Sequence, residues 1–150
     1  MRRKIASTLI AFGIAAAGLT IGAPTASAGG WGCTGSEIDT YSVTYGSTMY
    51  GAIHLYYDSS TGKNCAVNVA TSAGGYGVDK YMSVSLVRCT QTSPSSTCTI
   101  DDAKTNADTY KYYAGPVSLS AADHCINVRG RITYNGHEAI GATYGAVHCG

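Results

Sequence analysis

The chain has 150 residues, of which 45% are hydrophobic and only 13% are charged, and its formal net charge is +1. This is the length of one domain, and a chain with so few charges is not a disordered polyelectrolyte. The near-zero net charge also excludes a strongly basic nucleic-acid-binding protein, because such proteins need many Lys and Arg contacts to phosphate.

The first 28 residues have the organisation of a secretory signal peptide. A basic start at residues 2–4 precedes an uncharged stretch, 5–22, and Ala26-Ser27-Ala28 forms a small-x-small cleavage site. A retained membrane anchor is the alternative, but the stretch is short and rich in Ala and Gly for a span of about 20 residues. Cleavage after Ala28 leaves one domain, 29–150, with seven Lys and Arg against nine Asp and Glu. The sequence therefore predicts a secreted protein, extracellular or on the cell or spore surface, with no membrane segment after cleavage.

Residues 29–150 alternate between apolar and polar side chains and have no convincing helical period, which predicts an all-β domain. The predicted strands are 40–45, 49–57, 63–71, 81–89, 110–120, 126–134 and 138–149. Asn135-Gly136 predicts a two-residue hairpin, because both residues tolerate positive φ. In the last strand the expected inward residues are Ile140, Ala142 and Tyr144, and the polar stretch 101–108 is expected to be a loop or a helical turn. Seven or eight short antiparallel strands indicate a small β-sandwich or barrel.

The cysteines predict disulfides rather than a metal site. They form no C-x-x-C pair, no histidines lie at zinc-finger spacing, and an even number behind a signal peptide indicates three bridges. Six cysteines allow 15 pairings; the one we favour is 89–98, 65–125 and 33–149. Disulfides would also offset a core with no Phe and only three Leu in residues 29–150. The six residues are Cys33, Cys65, Cys89, Cys98, Cys125 and Cys149.

No catalytic, metal or cofactor motif is complete. His137-Glu138 begins like a zinc-protease motif, but Gly141 stands where the second histidine is required. Residues 102–108 alternate like a calcium loop, yet Lys104 occupies a ligand position and the required Gly and Glu are missing. We therefore expect a protein that is not an enzyme and binds no cofactor or metal. A small hydrolase remains a third hypothesis, which would need a paired His and Asp in a pocket.

Tyrosine is the clearest sign of a binding surface. All twelve tyrosines lie in residues 29–150, and Tyr110, Tyr112 and Tyr113 flank Lys111. Tyrosine combines a wide apolar face with a hydroxyl, and exposed aromatic patches often mark binding sites, although tyrosine is also common on ordinary sheet surfaces. We predict that these three tyrosines bind a surface polymer.

The segment between Cys89 and Cys98 supports a different function. Its central residues, Ser93-Pro94-Ser95-Ser96, could form a disulfide-closed, pre-organised loop of the kind that protease inhibitors present. A capped hairpin turn explains the same residues equally well. A secreted protease inhibitor acting through the 89–98 hairpin is therefore the alternative hypothesis.

Two segments resemble a known family. Residues 56–67 (YYDSSTGKNCAV) and 112–117 (YYAGPV), followed by Cys125-Ile126 and Gly130, resemble the spore-associated protein A family of small secreted bacterial proteins. The similarity extends from about Cys33 to the end of the chain, and Cys89 and Cys98 are additions to the family pattern. The resemblance implies an extracellular protein associated with aerial growth or the spore surface, and it transfers no catalytic residues. We expect a non-catalytic protein whose partner is a cell-wall or spore-surface polymer or another secreted protein.

Overall fold

The computed structural model describes residues 29–150, so the predicted signal peptide lies outside the described residues. This part of the chain contains strands and turns and no helix. The all-β prediction is therefore confirmed. The eight strands are β1 (Ser36–Tyr45), β2 (Thr48–Asp58), β3 (Lys63–Ala70), β4 (Lys80–Cys89), β5 (Ile100–Tyr110), β6 (Tyr113–Ser120), β7 (Ile126–Tyr134) and β8 (His137–Ala142).

The strands form one antiparallel sheet that curls into a nearly closed barrel. Their order is β5-β4-β7-β8-β1-β2-β3-β6, so β5 and β6 are the two edges. These edges lie side by side, and the side-chain oxygen of Asn106 in β5 accepts a hydrogen bond of 2.8 Å from the Gly115 N–H in β6. The curled sheet thus protects edge strands that would otherwise present unpaired backbone groups to solvent.

The barrel interior is filled by the alternate, inward-facing side chains of the strands. The largest fully buried ones are Ile, Leu, Met and Val, and they include Ile53, Met82 and Ile132. One polar side chain lies among them: the Asn68 amide donates hydrogen bonds to the carbonyl oxygens of Ser83 (2.9 Å) and Arg131 (3.1 Å). Asn68 therefore links β3 to β4 and β7 across the barrel.

A second, smaller cluster lies on the outside of β2 and β3. Cys65, Val67 and Val69 point away from the barrel interior, yet they are buried together with Tyr56 and Cys33. The segment 29–35 covers this face and is bound to it by the Cys33–Cys65 disulfide. Because both of its faces are covered, β3 has a nearly continuous buried run rather than an alternating one.

Three predicted elements were wrong in extent or type. The last predicted strand, 138–149, is the shorter β8, which ends at Ala142. The stretch 101–108 belongs to β5 and pairs along its length with β4, although we expected a loop or helical turn. An edge strand with exposed side chains needs no apolar residues, so its pattern looks like that of a loop. The predicted strand 110–120 is divided, because the chain reverses at 111–112 between β5 and β6.

The facing of the last strand was also predicted wrongly. The hairpin forms at Asn135-Gly136, whose φ angles are 49° and 74°, and it pairs Ile132 with Ala139. Directly opposed residues share one face of a sheet, so the inward residue is Ala139. Ile140 is consequently 38% exposed, Ala142 is exposed and Tyr144, beyond the end of β8, is 96% exposed.

All six cysteines form disulfides, as predicted, but only one favoured pair was right. The structure contains Cys89–Cys98, Cys33–Cys65 and Cys125–Cys149. The predicted pairs 65–125 and 33–149 are wrong because the two ends of the domain pack separately. The N-terminal segment crosses β3, whereas the C-terminal segment pairs beside the start of β7 through hydrogen bonds between Val147 and Ile126.

Candidate functional site

One end of the barrel carries most of the tyrosines, and we call it the tyrosine end. It is formed by the β1–β2 and β7–β8 hairpins, the β3–β4 connection at 71–79 and the β5–β6 turn. Eight of the twelve tyrosines lie in these connections or within the adjoining strand ends. Antiparallel strands bring every second connection to the same end, so residues far apart in sequence are gathered there. The eight are Tyr45, Tyr50, Tyr76, Tyr81, Tyr110, Tyr112, Tyr113 and Tyr134.

The three tyrosines chosen from the sequence lie together, but they do not form one flat patch. Tyr110, Tyr112 and Tyr113 line a shallow depression of ≈ 310 Å³ together with Lys111 and Gly115. Tyr110 is half-buried against the barrel core. Tyr113 packs on the outer cluster and contacts Trp31 at a ring-centroid distance of 5.5 Å. Only Tyr112 of the three is exposed.

Tyr112 has an aromatic partner that the sequence reasoning missed. The Tyr76 ring meets the Tyr112 ring edge to face, with centroids 5.0 Å apart, and the two residues are 48% and 47% exposed. Val78 is exposed nearby in the same connection, and Lys111 is 3.9 Å from Asp79. The Gly-rich segment around Tyr76 gave no strand pattern, so the only signal in the sequence was the aromatic residue itself.

A buried lysine supports this tyrosine pair from below. The Lys80 ammonium donates hydrogen bonds to the carbonyl oxygens of Lys111 (2.7 Å), Val78 (3.1 Å) and Tyr110 (3.4 Å). Burial lowers the pKa of Lys80. The ammonium thus joins the β3–β4 connection, which carries Tyr76, to the turn that carries Tyr112.

The 89–98 loop is closed by its disulfide and is also bound to the rest of the domain. The Ser95 N–H donates to the Ala146 carbonyl at 3.2 Å, and the Ala146 N–H donates to the Ser95 carbonyl at 2.9 Å. The Gln91 side chain spans the base of the loop, accepting from the Thr99 N–H at 3.0 Å. The segment 92–94 remains exposed as the tip of the loop.

A histidine, an aspartate and a tyrosine meet near the opposite end of the barrel. The Tyr41 hydroxyl donates to Asp39 at 2.7 Å, and the Nε2 of His148 lies 2.8 Å from the Tyr41 hydroxyl and 3.1 Å from the Asp39 carboxylate. The Tyr41 hydrogen bond is the main cause that lowers the pKa of Asp39, whereas burial and Asp39 raise that of Tyr41. This cluster joins the C-terminal segment to β1. His148 and Asp39 are 109 residues apart in the chain, and no sequence pattern indicated that they meet.

A second histidine–carboxylate pair lies on the outer side of β1. The Nδ1 of His54 is 2.8 Å from Glu37, and the Thr40 hydroxyl donates to the same carboxylate oxygen at 2.7 Å. The Thr40 bond is the main cause that lowers the pKa of Glu37, with His54 second. Histidines therefore join β1 to two other segments: His148 joins it to the C-terminal segment, and His54 joins it to β2.

Residues 29–150 contain neither a cluster of metal-binding side chains nor a membrane-spanning helix. In this region no three His, Cys, Asp or Glu side chains are grouped so that they could hold a metal ion. The same region has no helix of the length and hydrophobicity needed to cross a bilayer.

Comparison with known proteins identifies the family. The chain is 35% identical over 138 residues to Spore-associated protein A of Streptomyces coelicolor, and the match covers 87% of this chain and 80% of that relative. The chain belongs to the spore-associated protein A family. No protein-family model and no solved structure matches it. The resemblance seen in the sequence is thereby confirmed.

The segments that carried this resemblance have structural places in this member of the spore-associated protein A family. Residues 56–67 form the end of β2, the turn into β3 and the half of β3 that contains Cys65. Residues 112–117 lead from the tyrosine pair into β6. The three disulfides are compatible with an extracellular or surface location.

Proposed function

We propose that this member of the spore-associated protein A family is a secreted, non-catalytic protein that adheres to the cell or spore surface through its tyrosine end. The location is supported by the similarity to Spore-associated protein A of Streptomyces coelicolor. The observation that carries the binding function is the exposed, mutually packed Tyr76–Tyr112 pair. Paired aromatic rings present a rigid apolar surface with hydroxyl groups at its edge, which suits the flat faces and hydroxyls of a sugar polymer.

The His148–Asp39 pair is of the kind that the hydrolase hypothesis requires, and His148 lines a depression of ≈ 250 Å³, but no nucleophile is bound to this or any other histidine of residues 29–150. All six cysteines are in disulfides, so residues 29–150 contain no thiol nucleophile. The hydrogen bonds of the histidines in this region go to carboxylates, the Tyr41 hydroxyl and the Cys89 carbonyl, and none goes to a serine or threonine hydroxyl. A base hydrogen-bonded to its nucleophile is the signature of an acyl-transfer site.

The protease-inhibitor alternative has weaker support. An inhibitory loop must offer an extended backbone to the protease, but both backbone groups of Ser95 already pair with Ala146. Ser95 is therefore held against the domain in the middle of the loop, and the exposed residues on either side of it, 92–94 and 96–97, are the ones that can contact another protein. Inhibition of a panel of serine proteases by the oxidised domain, lost on replacing Pro94 by Gly, would favour this alternative over adhesion.

Co-sedimentation tests the adhesion proposal directly. Oxidised protein comprising residues 29–150 is mixed with washed spores, peptidoglycan, chitin and cellulose, and the pelleted fraction is measured against polymer concentration. We expect saturable pelleting with at least one of these polymers. Replacing Tyr76 or Tyr112 by Ala should weaken binding about tenfold, as truncation of a central aromatic contact does in other interfaces.

Tyr144 supplies the matched control for these variants. It is 96% exposed and lies beyond the end of β8, away from the tyrosine end, so Tyr144→Ala removes an exposed tyrosine and leaves the proposed surface unchanged. Binding by this variant should equal that of the unmodified protein. Protein that stays in the supernatant with every polymer, or equal losses for Tyr144→Ala and Tyr112→Ala, would refute adhesion through this pair.

A further inference from the structure

A shallow polar groove crosses the outer face of β5, β4 and β7. Its volume is ≈ 220 Å³, and it lies on the side of these strands that faces away from the barrel core. Two arginines and one tyrosine border a floor of small side chains. The lining residues are Tyr81, Ser83, Ser85, Thr105, Ala107, Arg129 and Arg131.

Strand register explains the shape of this groove. Ser83 lies opposite Arg131, and Ser85 lies opposite Arg129, in the pairing of β4 with β7. On the other side of β4, the same two serines face residues of β5 that are also small. Opposed side chains in a sheet are about 5 Å apart. Small side chains in two adjacent strands thus leave a depression beside the two long arginine side chains.

The groove concentrates positive charge on a domain that is slightly acidic overall. Arg129 and Arg131 are two residues apart on one strand, so their side chains leave the same face about 7 Å apart. Arg131 contacts Glu138 at 3.3 Å, whereas Arg129 is exposed and has no ion-pair partner among the described residues. Guanidinium groups present several N–H donors in one plane, which matches carboxylate, sulfate and phosphate oxygens.

The remaining lining groups suit a sugar ring. Tyr81 is exposed at the border of the groove, and its ring can pack against an apolar sugar face. The hydroxyls of Ser85 and Thr105 are 2.9 Å apart on the floor and can exchange hydrogen bonds with sugar hydroxyls. Aromatic, hydroxyl and guanidinium groups therefore occur together in one groove.

We propose that this groove binds an anionic polysaccharide, with its charged groups on Arg129 and Arg131 and a sugar ring on Tyr81. The site shares no residue with the Tyr76–Tyr112 pair: Tyr81 belongs to the tyrosine end, but the two arginines and the small residues of the floor lie on the outer wall of the barrel. It adds an electrostatic contact to a domain with a net charge of −2 over residues 29–150, which would otherwise repel acidic polymers.

Calorimetric titration with defined oligosaccharides tests the proposal. Oxidised protein 29–150 is titrated with sulfated dextran oligosaccharide, with alginate oligosaccharide and with neutral dextran of the same length. We expect binding of both anionic probes, weakening with salt, and none of neutral dextran. Arg129→Gln and Arg131→Gln should each raise Kd about tenfold, since a charge-assisted hydrogen bond is lost. Failure of both anionic probes to bind would overturn the proposal.

Two further variants separate a built site from general attraction of charge. Lys104→Gln removes an exposed positive charge from β5, next to Thr105 but on the opposite face of the strand, and should change Kd less than twofold. Tyr81→Ala should weaken the binding of the anionic oligosaccharides and leave the binding of inorganic polyphosphate unchanged. Equal losses for Lys104→Gln and Arg129→Gln, or insensitivity of the oligosaccharides to Tyr81→Ala, would contradict the site.

The Tyr112→Ala variant distinguishes this proposal from the adhesion proposal. It should retain the calorimetric binding of anionic oligosaccharides even where its adhesion to spores is lost. A parallel loss of both activities would refute the separation of the two surfaces.

Discussion

Lys80 offers a direct test of how the tyrosine pair is held in place. Lys80→Met keeps an unbranched side chain, one heavy atom shorter than lysine, and removes its three N–H donors. In the native domain these donors reach carbonyl oxygens in both segments that carry the pair. We expect the variant to fold, because the methionine fills the space of the lysine alkyl chain, but to hold the connection 71–79 less firmly against the β5–β6 turn.

The size of the effect follows from the three distances. The bond to Lys111, at 2.7 Å, is strong, that to Val78, at 3.1 Å, is ordinary, and that to Tyr110, at 3.4 Å, is weak. Hydrogen bonds to a charged group contribute about 1.5 to 3 kcal/mol each, but removing the buried charge returns part of its desolvation cost. We therefore expect the free energy of unfolding to fall by about 2 kcal/mol.

Urea unfolding and amide hydrogen exchange measure the two consequences. The midpoint should fall for Lys80→Met, and the amides of Tyr76 and Gly77, which donate to Thr71 and Lys111, should exchange faster than those of the central strands. Lys104→Met, at an exposed position, is the control and should change stability by less than about 0.5 kcal/mol. A Lys80→Met protein as stable as the unmodified one, with unchanged exchange at these amides, would refute the bracing role.

Three further predictions concern the barrel and its histidine cluster. Ala139→Asp should prevent stable folding, because it buries a carboxylate, whereas Ile140→Asp should cost less than about 1 kcal/mol; the reverse order in thermal unfolding would contradict the strand register. Asn68→Ala should lower the free energy of unfolding by about 2 kcal/mol, since two hydrogen bonds inside the barrel are lost; a loss below about 0.5 kcal/mol in urea would count against it. The pKa of Asp39 is lowered from 3.8, so ionised Asp39 stabilises the fold above that pH, and this stabilisation is lost as the pH falls through the lowered value. Asp39→Asn should therefore lose less stability than the unmodified protein on acidification below pH 3.8. Parallel acid unfolding curves for the two proteins would disprove this stabilisation.

Local sequence patterns predicted most of the strands for identifiable reasons. Residues 63–71 and 81–89 carry apolar side chains at alternate positions, and the observed strands begin and end within one residue of these limits. Asn135-Gly136 predicted its hairpin because its backbone angles are accessible to few other residue pairs. The facing of β8 could have been predicted too, since this turn opposes Ile132 to position 139.

The candidate site depended much more on tertiary structure. The exposed member of the chosen group, Tyr112, was found from the sequence, but its partner Tyr76 lies 36 positions away in a Gly-rich connection without a strand pattern. Likewise, Arg129 and Arg131 were unremarkable in the sequence. They border a groove only because the register places them opposite two serines.

The sequence by itself determined the antiparallel β class, the disulfide state of the six cysteines and membership of the spore-associated protein A family, because each of these depends on local alternation, composition or residue identity. Tertiary structure decided which cysteines pair, which face of β8 is buried and which tyrosines are exposed. These properties depend on how the sheet curls and on where its terminal segments pack. In this domain Cys33 meets Cys65 because segment 29–35 covers β3, and Cys149 meets Cys125 because the C-terminal segment returns to β7.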